Sequence, residues 1–273
     1  MENKKLYIAI GIVAVIIFAL VVAIILSDSE KKGEEKNNTN TTSKISNVST
    51  IENTTDEGNE PADVNYVENA ESQMAAPKTG ETIAVMHVKN FGDITFKFFD
   101  DKAPKAVENF LTHAKDGYYD GVKFHRVMEE FMIQGGDPKG DGTGGESIWG
   151  KGFEEEIDAS LVPYRGALCM ASAGYGKSSL GSQFFIVQAN ATEEMKNALS
   201  QYGYPEGLID AYSKYGGYLS LYGMYTVFGQ VVEGMDVVDK IVKVEKTIST
   251  SGELSVPVED VIIESIDISK KWW

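Results

Sequence analysis

From Leu6 to Leu26 the chain runs without a single charged residue. As an α-helix such a run spans about 31 Å, close to the hydrocarbon thickness of a bilayer. Lys4 and Lys5 precede it. The positive-inside rule therefore predicts a single-pass anchor, with residues 1–26 as cytoplasmic tip and transmembrane helix and everything after Leu26 on the outer side of the cell membrane. The competing reading is a cleaved signal peptide. Against it, the run exceeds the usual apolar region of such peptides, and Leu26-Ser27-Asp28-Ser29-Glu30 offers no clear small-x-small cleavage site.

Residues 27–80 are rich in Asn, Thr, Ser, Glu and Lys and poor in large apolar side chains. A segment of that kind buries too little surface to offset the entropy of ordering it, so it is expected to be a disordered linker with a reach of roughly 40 Å. The folded part is then expected over residues 81–273. The net charge of -16 argues against a nucleic-acid partner, which would need clustered Lys and Arg. Cys169 is the single cysteine, set in the apolar run Ala167-Leu168-Cys169-Met170-Ala171, and reads as a buried structural thiol. His87, His113 and His125 form no close-spaced cluster with a cysteine, so the sequence carries no metal signal. Nothing marks an obligate partner chain, and a monomer is expected.

Within the folded part, Thr82–Val88 and Asp93–Phe99 are β-rich runs joined by Lys89-Asn90-Phe91-Gly92, which predicts a hairpin. Pro104 opens a helical pattern with Val107, Phe110, Leu111 and Ala114 on one face and Gly117 as a stop. Short strands follow at 122–127, 131–134, 166–171, 183–188 and 225–232. A second helix is expected over Met235–Val244 and a closing strand over 261–268. The pattern predicts a mainly β (α+β) domain: a closed antiparallel barrel covered by helices.

Three clusters say more. Phe124-His125-Arg126-Val127, Phe131-Met132-Ile133-Gln134-Gly135-Gly136-Asp137 and Gly142-Thr143-Gly144-Gly145 resemble the central signature of the cyclophilin family. Met170-Ala171-Ser172-Ala173-Gly174, Gly181-Ser182-Gln183-Phe184-Phe185-Ile186 and Thr226-Val227-Phe228-Gly229-Gln230-Val231 follow in the family's order. The resemblance covers residues 81–269. It implies a closed eight-stranded antiparallel barrel capped by two helices, peptidyl-prolyl cis-trans isomerase (rotamase) activity on proline-containing polypeptides, and no cofactor. For an anchored outward-facing domain, this means assisting the folding of exported or cell-surface proteins. A catalytically weak proline-peptide-binding module or chaperone is the alternative.

The chemistry needs neither nucleophile nor acid. Rotation about X–Pro meets a resonance barrier of about 18–20 kcal/mol, and a catalyst must bind the twisted amide better than either planar isomer. Twisting localises the lone pair on the prolyl nitrogen, so a fixed cationic donor aimed there acts on the transition state alone. Arginine occurs only at positions 126 and 165 in a chain that otherwise uses lysine. Arg126, inside the signature, is the candidate donor; Arg165, in a loop before a strand, reads as a structural ion-pair residue. By the resemblance, Phe131, Met132 and Phe185 form the proline pocket, Gln134 binds substrate backbone, Ala171 and Gln183 flank the groove, and the backbone of Ser172 pairs with the peptide. Taken alone, each of the apolar residues would more often be core.

The sequence departs from the family at the groove rim. Where the family commonly has Trp-Leu-Asp-Gly-x-His, this chain has Ser220-Leu221-Tyr222-Gly223-Met224-Tyr225. Leu221 is kept, tryptophan becomes Ser220, and Tyr225 stands for histidine with a ring and a hydroxyl to offer. Tyr175–Leu180 makes a longer loop beside the site, and residues 192–218 form an insertion rich in Tyr and Gly whose start, Glu193–Leu199, reads as helical.

Overall fold

A computed structural model describes residues 64–172 and 179–271. The expected anchor at 6–26, most of the linker and the loop residues 173–178 lie outside them. Among the described residues, no helix is long and apolar enough to cross a membrane.

Strands β1 (Thr82–Val88) and β2 (Gly92–Phe98) form the expected hairpin. Asn90 takes the left-handed conformation (φ 67°), which asparagine tolerates better than most residues, and Phe91 N donates to Val88 O across the turn. Helix α2 follows at Pro104–Lys115, with α1 lying earlier at Tyr66–Met74. Pro104 supplies the preset φ of a first turn. No side chain at Ala103 caps α2. Instead Glu156, some fifty residues on, accepts from the amides of Lys105 (3.2 Å) and Ala106 (2.9 Å). Phe110 on its buried face meets Phe96, Phe98, Tyr119, Phe184 and Phe228 at centroid distances of 5.2 to 6.4 Å, the centre of the main core.

The remaining strands are β3 (Arg126–Met128), β4 (Met132–Gly135), β5 (Ala167–Met170), β6 (Phe184–Val187), β7 (Val227–Glu233), β8 (Lys246–Ile248), β9 (Leu254–Pro257) and β10 (Ile263–Lys270). Helices α3 (Glu193–Gln201) and α4 (Glu206–Tyr215) fill the insertion, and α5 (Met235–Ile241) follows β7. Among the described residues, eight strands make one antiparallel sheet in the order β10-β1-β2-β7-β5-β6-β4-β3, and β8 and β9 pair separately.

The sheet curls but is not a closed barrel, which corrects the sequence expectation. Its end strands β3 and β10 do not pair. The edges meet through the segments leading into them: Phe124 N donates to Val261 O, Ile263 N to Val122 O, and Lys123 bridges Ile262. The residues expected as one strand over 122–127 therefore divide, the first half serving the seam and only Arg126 and Val127 entering β3.

The second correction concerns the domain's start, expected at residue 81. Tyr66–Met74, within the expected linker, is helical and docked. Asn65 caps it by accepting from Glu68 N, and Ala70 and Gln73 are buried. Hydrogen bonds and apolar packing both attach it. Gln73 Nε2 donates to Val162 O (2.7 Å) and to Gln230 Oε1 (3.1 Å), while its Oε1 accepts from Val162 N (3.0 Å). The buried Lys97 ammonium donates to Ser72 O and Ala75 O at the helix's carbonyl end, where a cation is favoured. With Tyr164, Leu199, Leu208, Tyr212 and Tyr222, α1 and the insertion share a second apolar cluster.

Candidate functional site

The face of the sheet away from the main core carries the site, and strand alternation decides which residues reach it. Along β4, Ile133 points into the main core while Met132 belongs to the opposite cluster; along β6, Phe184 and Ile186 face the main core while Phe185 and Val187 join that opposite cluster. Register sets the rest. Arg126 pairs directly with Gln134, Gln134 with Phe185, and Phe185 with Cys169, so these four side chains form a row across four strands. Cys169, at the β5 end of the row, is fully buried, and desolvation pushes its thiol well above the usual range, as expected for a structural residue.

Around this row lies a cavity of about 140 Å³ walled by Phe131, Met132, Ala171, Phe185 and Leu221, with Arg126, Gln134, Ser172 and Tyr225 adding polar groups. That is small beside the roughly 300–1,000 Å³ of drug-sized sites and suits a single ring. Tyr225 meets Phe185 edge-on at 5.4 Å. A second hollow of about 280 Å³ adjoins it between Gly142–Gly145 and Gln183, sharing Gln134, Ala171 and Ser172. The structure thus brings together every residue singled out for the site, Gln183 lining the second hollow.

Polar contacts tie the two hollows. Arg126 Nη1 donates to Gln134 Oε1 (3.4 Å), Gln134 Nε2 to Gln183 Oε1 (3.0 Å), and Gln183 Nε2 to the carbonyls of Gly144 (2.8 Å) and Gly142 (3.1 Å). The Arg126 guanidinium also lies over the Phe131 ring, 5.5 Å from its centroid. Ser172 Oγ donates to Glu155 and meets Ser179 Oγ. Arg165 is structural: both oxygens of Asp239 accept from its Nη2 at 2.6 Å, and Gln188 O accepts from Nη1.

Sequence reasoning missed two contributors. Tyr218, the last residue of the insertion, packs its ring against Phe131 with centroids 4.4 Å apart. Burial pushes its phenol up while nearby Arg126 opposes the shift. Gly217 delivers it: with φ 116°, a Cβ there would collide with Pro163 O and Tyr164 Cα, so only glycine lets the insertion return this close. Glu253, between β8 and β9, takes Arg126 Nε and Nη2 on its two carboxylate oxygens, both at 2.7 Å. No motif flags either residue: the Tyr-rich insertion is expected near the groove mouth without a sign of which tyrosine reaches it, and a lone glutamate in a polar stretch reads as surface.

Comparison with known proteins agrees with this geometry. Residues 83–268 match the family described as cyclophilin type peptidyl-prolyl cis-trans isomerase/CLD. The chain belongs to the cyclophilin-type peptidyl-prolyl cis-trans isomerases. Similar relatives named as peptidyl-prolyl cis-trans isomerases occur in Staphylococcus epidermidis, 48% identical over 70% of this chain and 93% of that protein, and in Staphylococcus aureus, 47% identical over the same shares. A crystal structure of a cyclophilin type isomerase from Cryptosporidium parvum is similar over 70% of this chain and 99% of its own, with 32% identity and a TM-score of 0.54; another was determined in the presence of the dipeptide Ala-Pro, covering 69% of this chain.

Proposed function

We propose that this cyclophilin isomerises X–Pro bonds in exported polypeptides at the outer face of a cell membrane, with Arg126 as the group acting on the prolyl nitrogen. The observation that carries the site assignment is the row Arg126–Gln134–Phe185 standing over a ring-sized apolar cavity. The proline ring fills the space between Phe131, Met132, Phe185 and Leu221. Gln134 holds the backbone, and Arg126 Nη1, on the cavity side of the guanidinium, donates to the nitrogen lone pair as the amide twists. That bond strengthens only off the planar states, so it lowers the barrier rather than merely binding substrate. The extracytoplasmic setting is supported by the Leu6–Leu26 run behind Lys4 and Lys5.

The test is the cis–trans exchange of a short X–Pro peptide with the full-length chain, read by protease-coupled cleavage of the trans form. Clear acceleration over the unaided rate is expected. Peptide binding without acceleration would make the groove a binding module instead.

A further inference from the structure

The guanidinium of Arg126 is held from outside the sheet that bears it. Glu253 follows a tight turn in which Ser249 N donates to Glu253 O (2.7 Å), Glu253 N donates to Ser249 Oγ (3.2 Å), and Gly252 takes φ 87°. The carboxylate is therefore presented by ordered backbone rather than by a loose loop. It meets the Nε/Nη2 edge of the guanidinium in a two-pronged pairing, each prong 2.7 Å. Both side chains are about one-third exposed or less, Arg126 at 34% and Glu253 at 28%. The same contact holds the Glu253 carboxyl below the usual carboxylate range. Arg126 is left with one orientation: the Nε/Nη2 edge on Glu253, the face over Phe131, and Nη1 towards Gln134 and the cavity.

We infer that Glu253 is a positioning residue for isomerisation, a clamp on the β8–β9 hairpin that fixes the plane of the Arg126 guanidinium so that Nη1 addresses the prolyl nitrogen. A long side chain with several rotatable bonds otherwise spreads its charge over many directions, and a bidentate carboxylate is the contact that removes this freedom. Loss of orientation at a reacting group costs more rate than loss of contact area. The pairing also withdraws some positive potential from the groove. A brake and a clamp thus predict opposite signs: removing a brake raises turnover, and removing a clamp lowers it.

The inference rests on the reading of Arg126 above, and the experiment separates the two. In the full-length chain, Glu253→Ala is expected to lower kcat for an X–Pro peptide by between about tenfold and a hundredfold with little change in KM, because the apolar pocket is untouched. Glu253→Gln, which keeps one acceptor for the guanidinium, is expected to fall between Glu253→Ala and the unaltered chain. In an Arg126→Ala background, Glu253→Ala should cause no further loss. An equal fall in kcat from Glu253→Ala in that background would make its effect one of hairpin stability and overturn the clamp. Unchanged or raised turnover in Glu253→Ala, beside a clear loss in Arg126→Ala, would overturn the clamp alone. Full activity of Arg126→Ala would overturn the reading of Arg126 and the clamp together.

Discussion

Phe131 is covered by Tyr218, and that contact bears on the altered rim. Where the family commonly places tryptophan this chain has Ser220, yet an aromatic surface returns from two residues earlier, 4.4 Å from the Phe131 ring. An aromatic pair contributes about 0.5–1.5 kcal/mol beyond its buried area. Tyr218→Ala is therefore expected to weaken X–Pro peptide binding roughly two- to tenfold with a smaller effect on kcat. Titration of a peptide against the two chains measures it, and equal affinities would exclude Tyr218 from the rim. At this scale much was legible from sequence. Arg126, Phe131, Met132, Gln134 and Phe185 lie on short consecutive motifs, and β alternation carries them to one face. Tyr218 and Glu253 were not legible, because each reaches the site only through tertiary contact. Gly217 was a partial signal, since a Gly-Gly pair closing an insertion marks a backbone that must pass close to something.

Among the elements, α1 differs most from its sequence reading. Its polar composition gave no sign of the apolar contacts of Tyr66, Ala70 and Met74 with the second cluster, nor of the hydrogen bonds by which Gln73 and Lys97 hold it. A buried backbone group left without its partner costs about 1–3 kcal/mol. Gln73→Leu leaves Val162 N without its partner, while Val162 O keeps the amide of Tyr164, so the full-length chain should unfold a few degrees lower in a thermal melt. An unchanged midpoint would show that the Gln73 hydrogen bonds contribute nothing to the fold. The strands of the large sheet were legible to within a few residues because half-buried alternation is a strong signal. Hairpin β8–β9 was missed because Ile248 and Leu254 are exposed and resemble no core pattern.

Across the whole molecule, the insertion touches the groove wall through Tyr218 on Phe131, and α1 packs on the insertion while Gln73 ties it to β7 through Gln230. Residues 66–74 thus belong with the folded domain and not with the expected linker. If residues 6–26 remain as an anchor, the full-length protein should stay in the membrane fraction and external protease should release the domain. A mature N-terminus after residue 26 would show cleavage instead. The closure of the barrel was not legible, because whether two edges pair along a ladder or meet at a seam depends on the backbone at 121–124 and 261–263 rather than on hydrophobic pattern. The proposal that a charged donor on β3 lowers the barrier to X–Pro rotation is tested most directly by the turnover of Arg126→Ala in the full-length chain. A charge-assisted hydrogen bond contributes about 1.5–3 kcal/mol, so turnover is predicted to fall at least about tenfold while the unfolding midpoint shows the fold intact; turnover equal to that of the unaltered protein would contradict it.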